Sequence, residues 1–267
     1  PQFCGVIASI DAFEGICYKL DHMATSIKPK KRMGVATPPS FSFDSVALVK
    51  RLLAAAPERA REVLAHRFGL GTNPVRETLE AIGDRSSITR ERVRQIEAVG
   101  LDAIRASKAF KEANTAFTEI ERYIHSLGAI VPEHTLLAAL GKDEKSQNRF
   151  RFFLMLDSTF FRERETNDFI ARWHVDNATA KHIHDALSKL YSSLSDTEVL
   201  SEGKLLARFL DELKDVNDAY KNEEVLKRWL SLSKRISSNP LAEWGRTTAP
   251  AIRIKGVRDY AYLAVKR

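Results

Sequence analysis

The 267-residue sequence predicts a mainly α fold of short helices with two small β-hairpins. Three observations carry that expectation. From Asp44 onward, apolar residues recur at helical spacing. Capping residues and Gly or Pro stops punctuate those stretches. Segments rich in β-formers close two successive sets of three helices. At 44% hydrophobic and 29% charged, the chain is an ordinary globular one, large enough for two or three small cores.

Residues 1–43 read as a lead-in without a fold of their own. The run Lys28-Pro29-Lys30-Lys31-Arg32 and the breakers Thr37-Pro38-Pro39-Ser40 block helix continuation; the basic run is either a solvated tail or a phosphate contact. The first residues lack a basic n-region and carry Asp11 and Glu14 in their apolar stretch, unlike a signal peptide. Only Cys4 and Cys17 occur, which favours reduced thiols in a cytoplasmic protein over a disulfide scaffold.

Residues 44–110 form the first folded segment. Phe43, Val46, Val49, Leu52 and Leu53 mark one helix; Pro57 opens a second with Ala60, Val63, Leu64 and Phe68, stopped by Gly69 and Gly71. Thr78 caps a short helix, Leu79 to about Asp84, and Thr89 caps a longer one from Arg90 towards Lys108. Two helices joined by a tight turn make a helix-turn-helix.

Residues 112–175 and 176–254 then repeat one plan. The first pass has helices near Ala116–Leu127, from Pro132 through Leu140, and around Phe150–Leu156. A hairpin of Thr159–Arg162 and Phe169–Trp173 follows. The second has a long helix from about Ala178 to Ser193, one from Ser201 through Phe209, and one holding Val225, Leu226, Trp229 and Leu232. Its hairpin strands are expected at Leu241–Trp244 and Ala251–Arg253. The local match of HTLLAAL (134–140) with GKLLARF (203–209) sets the register of two winged-helix-like units. Trp173, Trp229 and Trp244 fall at core or matching positions and are expected to pack.

Function concentrates in the helix from Arg90. Arg90, Glu91, Arg94 and Gln95 share one face, while Val93 and Ile96 point to the opposite side. Arg reads guanine, Gln adenine and Glu a cytosine amino group in a major groove. The same residues also suit a merely exposed helix laced by salt bridges such as Glu91 with Arg94. From Val46 to Lys108 the segment holds 12 basic and 8 acidic residues, within a whole-chain net charge of +7.

This stretch, residues 57–105, resembles region four of bacterial primary sigma factors. The resemblance rests on Val63-Leu64, Arg67-Phe68-Gly69-Leu70, Thr78-Leu79-Glu80, Ile82-Gly83 and Ile88 through Glu97, roughly a fifth of the chain. It implies a sigma region-four-like helix-turn-helix whose base-reading residues are Arg90, Glu91, Arg94 and Gln95, facing a promoter −35 element. Phosphate contacts would fall to Arg67, Thr78 and Arg92. An apolar groove around Leu64, Phe68 and Leu79 would dock the flap region of the RNA polymerase β subunit. Departures are clear: Val99, Gly100, Asp102 and Ala103 stand where the family places basic residues, and Ala81 stands where an acid would complete a capping box with Thr78. Gly100 also costs about 1 kcal/mol of helix propensity relative to Ala. The aromatic-rich region with which a full sigma factor melts DNA has no counterpart in residues 1–45.

The C-terminal pieces Glu243-Trp244-Gly245, Ile252, Gly256-Val257-Arg258-Asp259 and Ala261-Tyr262-Leu263 resemble the lead-in to a HARE-type winged helix-turn-helix, related to the polymerase delta subunit. Residues 255–267 would begin such a helix, within a longer parent protein.

Other chemistries lack their residues. No GxSxG, HExxH or P-loop pattern occurs, His174, His182 and His184 have no metal-ligand spacing, and no catalytic role, metal or cofactor is expected. No window approaches a membrane span. Arg162, Arg164 and Arg172 make the first hairpin either a DNA-contacting wing or a solvated one. The expected function is a cytoplasmic, nucleoid-associated sigma-like transcription regulator that binds double-stranded promoter DNA and RNA polymerase. The alternatives are a polymerase-binding adaptor with little DNA contact, or the DNA-binding module of a restriction or modification system.

Overall fold

The computed structural model describes residues 39–253. Cys4, Cys17, the basic run at 28–32 and the HARE-like residues from 254 onward lie outside them. Eleven α-helices and two three-stranded antiparallel sheets make up the described chain.

Helices α1 (Ser45–Ala54), α2 (Glu58–Phe68), α3 (Leu79–Ser86) and α4 (Arg90–Ala106) form the helix-turn-helix segment. Their ends follow the capping chemistry. The Asp44 carboxylate accepts from Val46 N, Gly69 closes α2 in the left-handed region, and Thr78 Oγ1 accepts from Ala81 N at 3.1 Å. Thr89 Oγ1 accepts from Arg92 N at 3.2 Å to start α4. The turn between α3 and α4 passes through Ser87 at φ 53°, a left-handed position filled here without glycine. Helix α4 stops at Ala106 rather than at Lys108, because the Ser107 hydroxyl caps a new short helix, α5 (Lys108–Glu112), by accepting from Phe110 N.

The rest of the described chain is a tandem of winged helices. The first unit runs α6 (Asn114–Ser126), β1 (Ile130–Pro132), α7 (Glu133–Leu140), α8 (Glu144–Leu156), β2 (Phe161–Glu163) and β3 (Arg172–His174). The second runs α9 (Asn177–Ser193), β4 (Leu200–Ser201), α10 (Glu202–Glu212), α11 (Glu223–Leu230), β5 (Ile236–Ser238) and β6 (Glu243–Arg246). The sheets have the same order, β1-β3-β2 and β4-β6-β5, with the last strand central. In the first, Val131 and Arg162 flank Trp173 in register.

The second hairpin sits several residues before the expected place. Its turn is Asn239-Pro240-Leu241-Ala242, where Asn239 Oδ1 accepts from Leu241 N and Glu243 N, both at 3.0 Å. Ala251–Arg253 is therefore not a strand but a closing turn, and Glu243-Trp244-Gly245 of the HARE-like stretch lies in β6. The two-to-three-residue strands β1 and β4 have no expectation in the sequence, being too short for alternation to register.

The hydrophobic core does not break at residue 110. One buried cluster runs from Leu48 through Val93 and Ile104 to Phe152, Phe153 and Trp173, joining the helix-turn-helix to the first winged unit. The second unit has its own cluster, around Ile183, Leu205, Phe209 and Trp229, which also takes in Ile130 of β1.

Candidate nucleic-acid interface

Helix α4 separates its faces as its sequence requires. Val93, Ile96, Gly100 and Ile104 are buried along one stripe, while Arg90, Glu91, Arg94 and Gln95 are exposed on the other side. Gly100 lets α4 approach α2 closely: a Cβ there would lie 2.8 Å from Ala60 Cβ and 3.1 Å from Leu64 Cδ1. Its helix-propensity cost is thus the condition for a tight crossing that holds α4 on α2.

The exposed face is organised around Glu91. Arg94 Nε and Nη2 donate to the Glu91 carboxylate at 2.8 and 2.7 Å, and Gln95 Nε2 reaches Glu91 Oε1 at 3.4 Å. Arg92 Nη1 donates to Gln95 Oε1 at 3.1 Å. The Arg94 hydrogen bond holds the Glu91 carboxyl below the usual carboxylate range. Arg90 has no side-chain partner among the described residues. All these groups are solvated, so their mutual pairing is weak. The exposed helix laced by salt bridges is thus present, with Arg90, Glu91, Arg94 and Gln95 all at its solvent face.

The three phosphate candidates differ in availability. Arg92 is exposed on the rim of a shallow groove of about 590 Å³ that Gly83, Asp84, Ser87, Ile88 and Thr89 also line. Thr78 is exposed, with its hydroxyl oxygen engaged in the α3 cap. Arg67 is half-buried, donating to Glu77 O at 3.0 Å and standing 3.4 Å from Glu97. Burial raises the Glu97 carboxyl against the opposing pull of Arg67.

The apolar trio lies deeper than a docking groove requires. Leu64 is fully buried under Gly100, and Phe68 packs edge-on against Phe152 of α8 with ring centres 5.4 Å apart. Neither presents surface to a partner, because α4 lies over Leu64 and the first winged unit covers Phe68; Leu79 alone stays half-buried at the surface. The far end of α4 is also occupied. Arg105 Nε and Nη2 donate to Leu156 O and Met155 O at 2.9 and 3.2 Å, and Nη1 pairs with Asp102. Sequence reasoning missed this seam. So too with Asn148, a fully buried side chain in α8 that donates to Pro74 O at 2.7 Å. The only sequence signal was an amide at a core position of an apolar helix.

The winged units keep their usual DNA-reading parts inside. Helix α8, third in the first unit, buries Asn148, Phe150, Phe152, Phe153, Leu154 and Leu156 and packs on α1 and α2. Helix α11, third in the second, docks on the first unit: Arg228 Nη1 donates to Leu127 O at 2.6 Å and Trp229 Nε1 to Gly128 O at 3.1 Å. The first wing is used likewise, with Ile170 N donating to Leu232 O at 3.0 Å and Lys234 Nζ pairing with Glu165 at 2.6 Å. Of its arginines, Arg162 pairs with Glu133 at 2.6 Å, and Arg172 is buried against Glu163 and His184. That leaves Arg164 as the exposed one of the three without a hydrogen bond or ion pair among the described residues.

Trp173 and Trp229 are buried and Trp244 half-buried, as packing residues should be. Among the described residues no group of three or more His, Cys, Asp or Glu side chains could hold a metal ion, and no helix is long and apolar enough to cross a membrane.

Comparison with known proteins converges on this segment. Residues 52–106 match the family described as Sigma-70, region 4. The RNA polymerase sigma factor RpoS of Coxiella burnetii (strain RSA 493 / Nine Mile phase I) is 49% identical over 57 residues, which are 21% of this chain. The match spans 16% of that relative's length. No solved structure matches the chain. Residues 52–106 thus form a helix-turn-helix that matches sigma-70 region 4, in a chain that continues into a tandem of winged helices.

Proposed function

We propose that the chain is a sigma-like transcription regulator whose one reading head is α4. The observation that carries this is the pairing of sequence with exposure. Arg90, Glu91, Arg94 and Gln95 lie within the matched segment and face solvent, on a helix whose other side is locked into the core. In the helix-turn-helix geometry α4 enters the major groove of double-stranded promoter DNA, where these four side chains read a −35-like site, and Arg67, Thr78 and Arg92 meet phosphates. The protein acts in the cytoplasm on the nucleoid, without catalysis of its own. RNA polymerase is the second partner. With Leu64 buried under α4 and Phe68 packed on α8, contact with its β flap would run along the surface that Leu79 borders. The winged units serve as a rigid arm, their third helices spent on internal packing.

The test is binding of the 267-residue chain to −35-like and scrambled duplexes. Arg94→Ala and Gln95→Ala should each narrow the preference for the −35-like duplex by about tenfold or more. Unchanged affinity and preference in both variants would end the base-reading assignment. A second reading, a polymerase-binding adaptor with little DNA contact, draws on the uncharged α4 surface at Val99 and Ala103 and on the engagement of Arg105. It predicts no DNA signal at any salt concentration.

A further inference from the structure

Four arginines surround the entry to α3. Three have carboxylate partners: Arg67 with Glu97 at 3.4 Å, Arg85 with Glu77 at 2.7 Å and Arg151 with Glu133 at 3.2 Å. The fourth, Arg76, is exposed and has neither an ion pair nor a hydrogen bond among the described residues. It stands two residues before Thr78, the N-cap of the first helix of the helix-turn-helix.

The loop that carries it is held firmly. Asn148 Nδ2 of α8 donates to Pro74 O at 2.7 Å, Glu77 N donates to His66 O at 3.1 Å, and Arg67 Nη1 donates to Glu77 O at 3.0 Å. Val75 N is turned onto Asn73 Oδ1 at 3.1 Å. The Glu77 carboxylate, the nearest negative charge along the chain, is taken up by Arg85 and by His66 at 2.9 Å. A cation is thus held at the surface on a braced loop, with the adjacent Glu77 already paired.

Helix-turn-helix docking places the second helix in the major groove while the first crosses the sugar–phosphate backbone. A guanidinium at the entry of that first helix lies at the height of the backbone. We propose that Arg76 is a phosphate clamp for duplex DNA flanking the site read by α4, with the first winged unit acting through Asn148 as its positioning support. The inference rests on the DNA-binding reading above and adds a contact outside the residues assigned there. Burial and then the nearby Arg151 guanidinium push the Arg76 pKa down, while the Glu133 and Glu144 carboxylates partly hold it up. A phosphate contact fixes register without reading sequence.

The experiment titrates salt against binding of the full chain to a −35-like duplex and to a scrambled duplex of equal length. Arg76→Ala should weaken both by about tenfold, leave their ratio unchanged, and reduce the slope of log affinity against log salt by about one. Arg76→Lys should keep the slope, since it keeps the charge. Thermal melts of each variant check the fold. An unchanged slope in Arg76→Ala, with the unsubstituted chain binding normally, overturns the clamp alone and leaves Arg76 a solvated neighbour of Glu133 and Glu144. A changed ratio between duplexes overturns the phosphate assignment in favour of a base contact. No salt-sensitive binding by the unsubstituted chain overturns both this inference and the DNA-binding reading.

Discussion

Replacing Asn148 with alanine removes the one fully buried amide that ties α8 to the loop before α3. In the folded protein its Nδ2 donates to Pro74 O at 2.7 Å and more weakly to Gly69 O at 3.4 Å, while its Oδ1 accepts from Arg151 Nη1 at 3.3 Å. Alanine leaves a carbonyl without its donor at a site closed to water, which costs about 1–3 kcal/mol. The vacated volume adds a smaller cavity penalty, for a total of roughly 2–4 kcal/mol. For a body of this size each kcal/mol moves the midpoint by about 2–4 °C, so thermal unfolding followed by circular dichroism should drop by roughly 4–16 °C. Asn148→Asp separates the donor from the volume, for it keeps the shape and sets an acid against two carbonyl oxygens. It should be destabilised at neutral pH at least as much. A midpoint within about 2 °C of the unsubstituted protein for either variant would refute the claim that this amide joins the two segments.

Four further substitutions probe the other joints. Gly100→Ala should destabilise by about 1–3 kcal/mol, because a Cβ 2.8 Å from Ala60 Cβ forces α4 off α2; a rise in midpoint would mean that helix propensity, about 1 kcal/mol in the other direction, decides the site. Trp229→Phe deletes the buried donor to Gly128 O at 3.1 Å and should cost about 1–3 kcal/mol in a denaturant titration, with no effect on DNA affinity. Gly128→Ala should cost more, since Gly128 has φ 104° and an added Cβ would lie 2.5 Å from Val225 Cγ1; equal stability in the two variants would contradict the packing. His184 is pushed down to about 4 by burial and then by the Arg172 guanidinium beside it. Between pH 6.5 and 4 the unfolded chain binds a proton that the folded one refuses, so stability is complete above about 6.5 and falls as pH falls through that window. His184→Gln preserves an acceptor for Arg172 and should flatten the profile, leaving the share of His174, which burial lowers in the same direction. An unaltered profile would show that His184 is not the titrating group.

The sequence by itself determined the elements whose physics is local. Thr78 and Thr89 announce helix starts because a hydroxyl can satisfy an orphan N–H two or three residues ahead. Val93 and Ile96 orient α4 because a helix repeats every 3.6 residues, so the exposed set Arg90, Glu91, Arg94 and Gln95 follows from spacing alone. The order of helices and hairpins in both winged units was legible for the same reason. What only the tertiary structure decided is which surfaces remain free. Leu64 and Phe68 look like a groove until α4 closes over Leu64 and α8 packs on Phe68, and Arg172 looks like a DNA-facing cation until its partner is found at Glu163. Asn148, Arg228 and Gly128 gain meaning only from partners 74, 101 and 97 or more residues away in the chain. Burial depends on which distant segments meet, and no local pattern encodes that meeting. The tandem therefore turns both winged-helix third helices inward and leaves the Arg90–Gln95 face of α4 open to solvent.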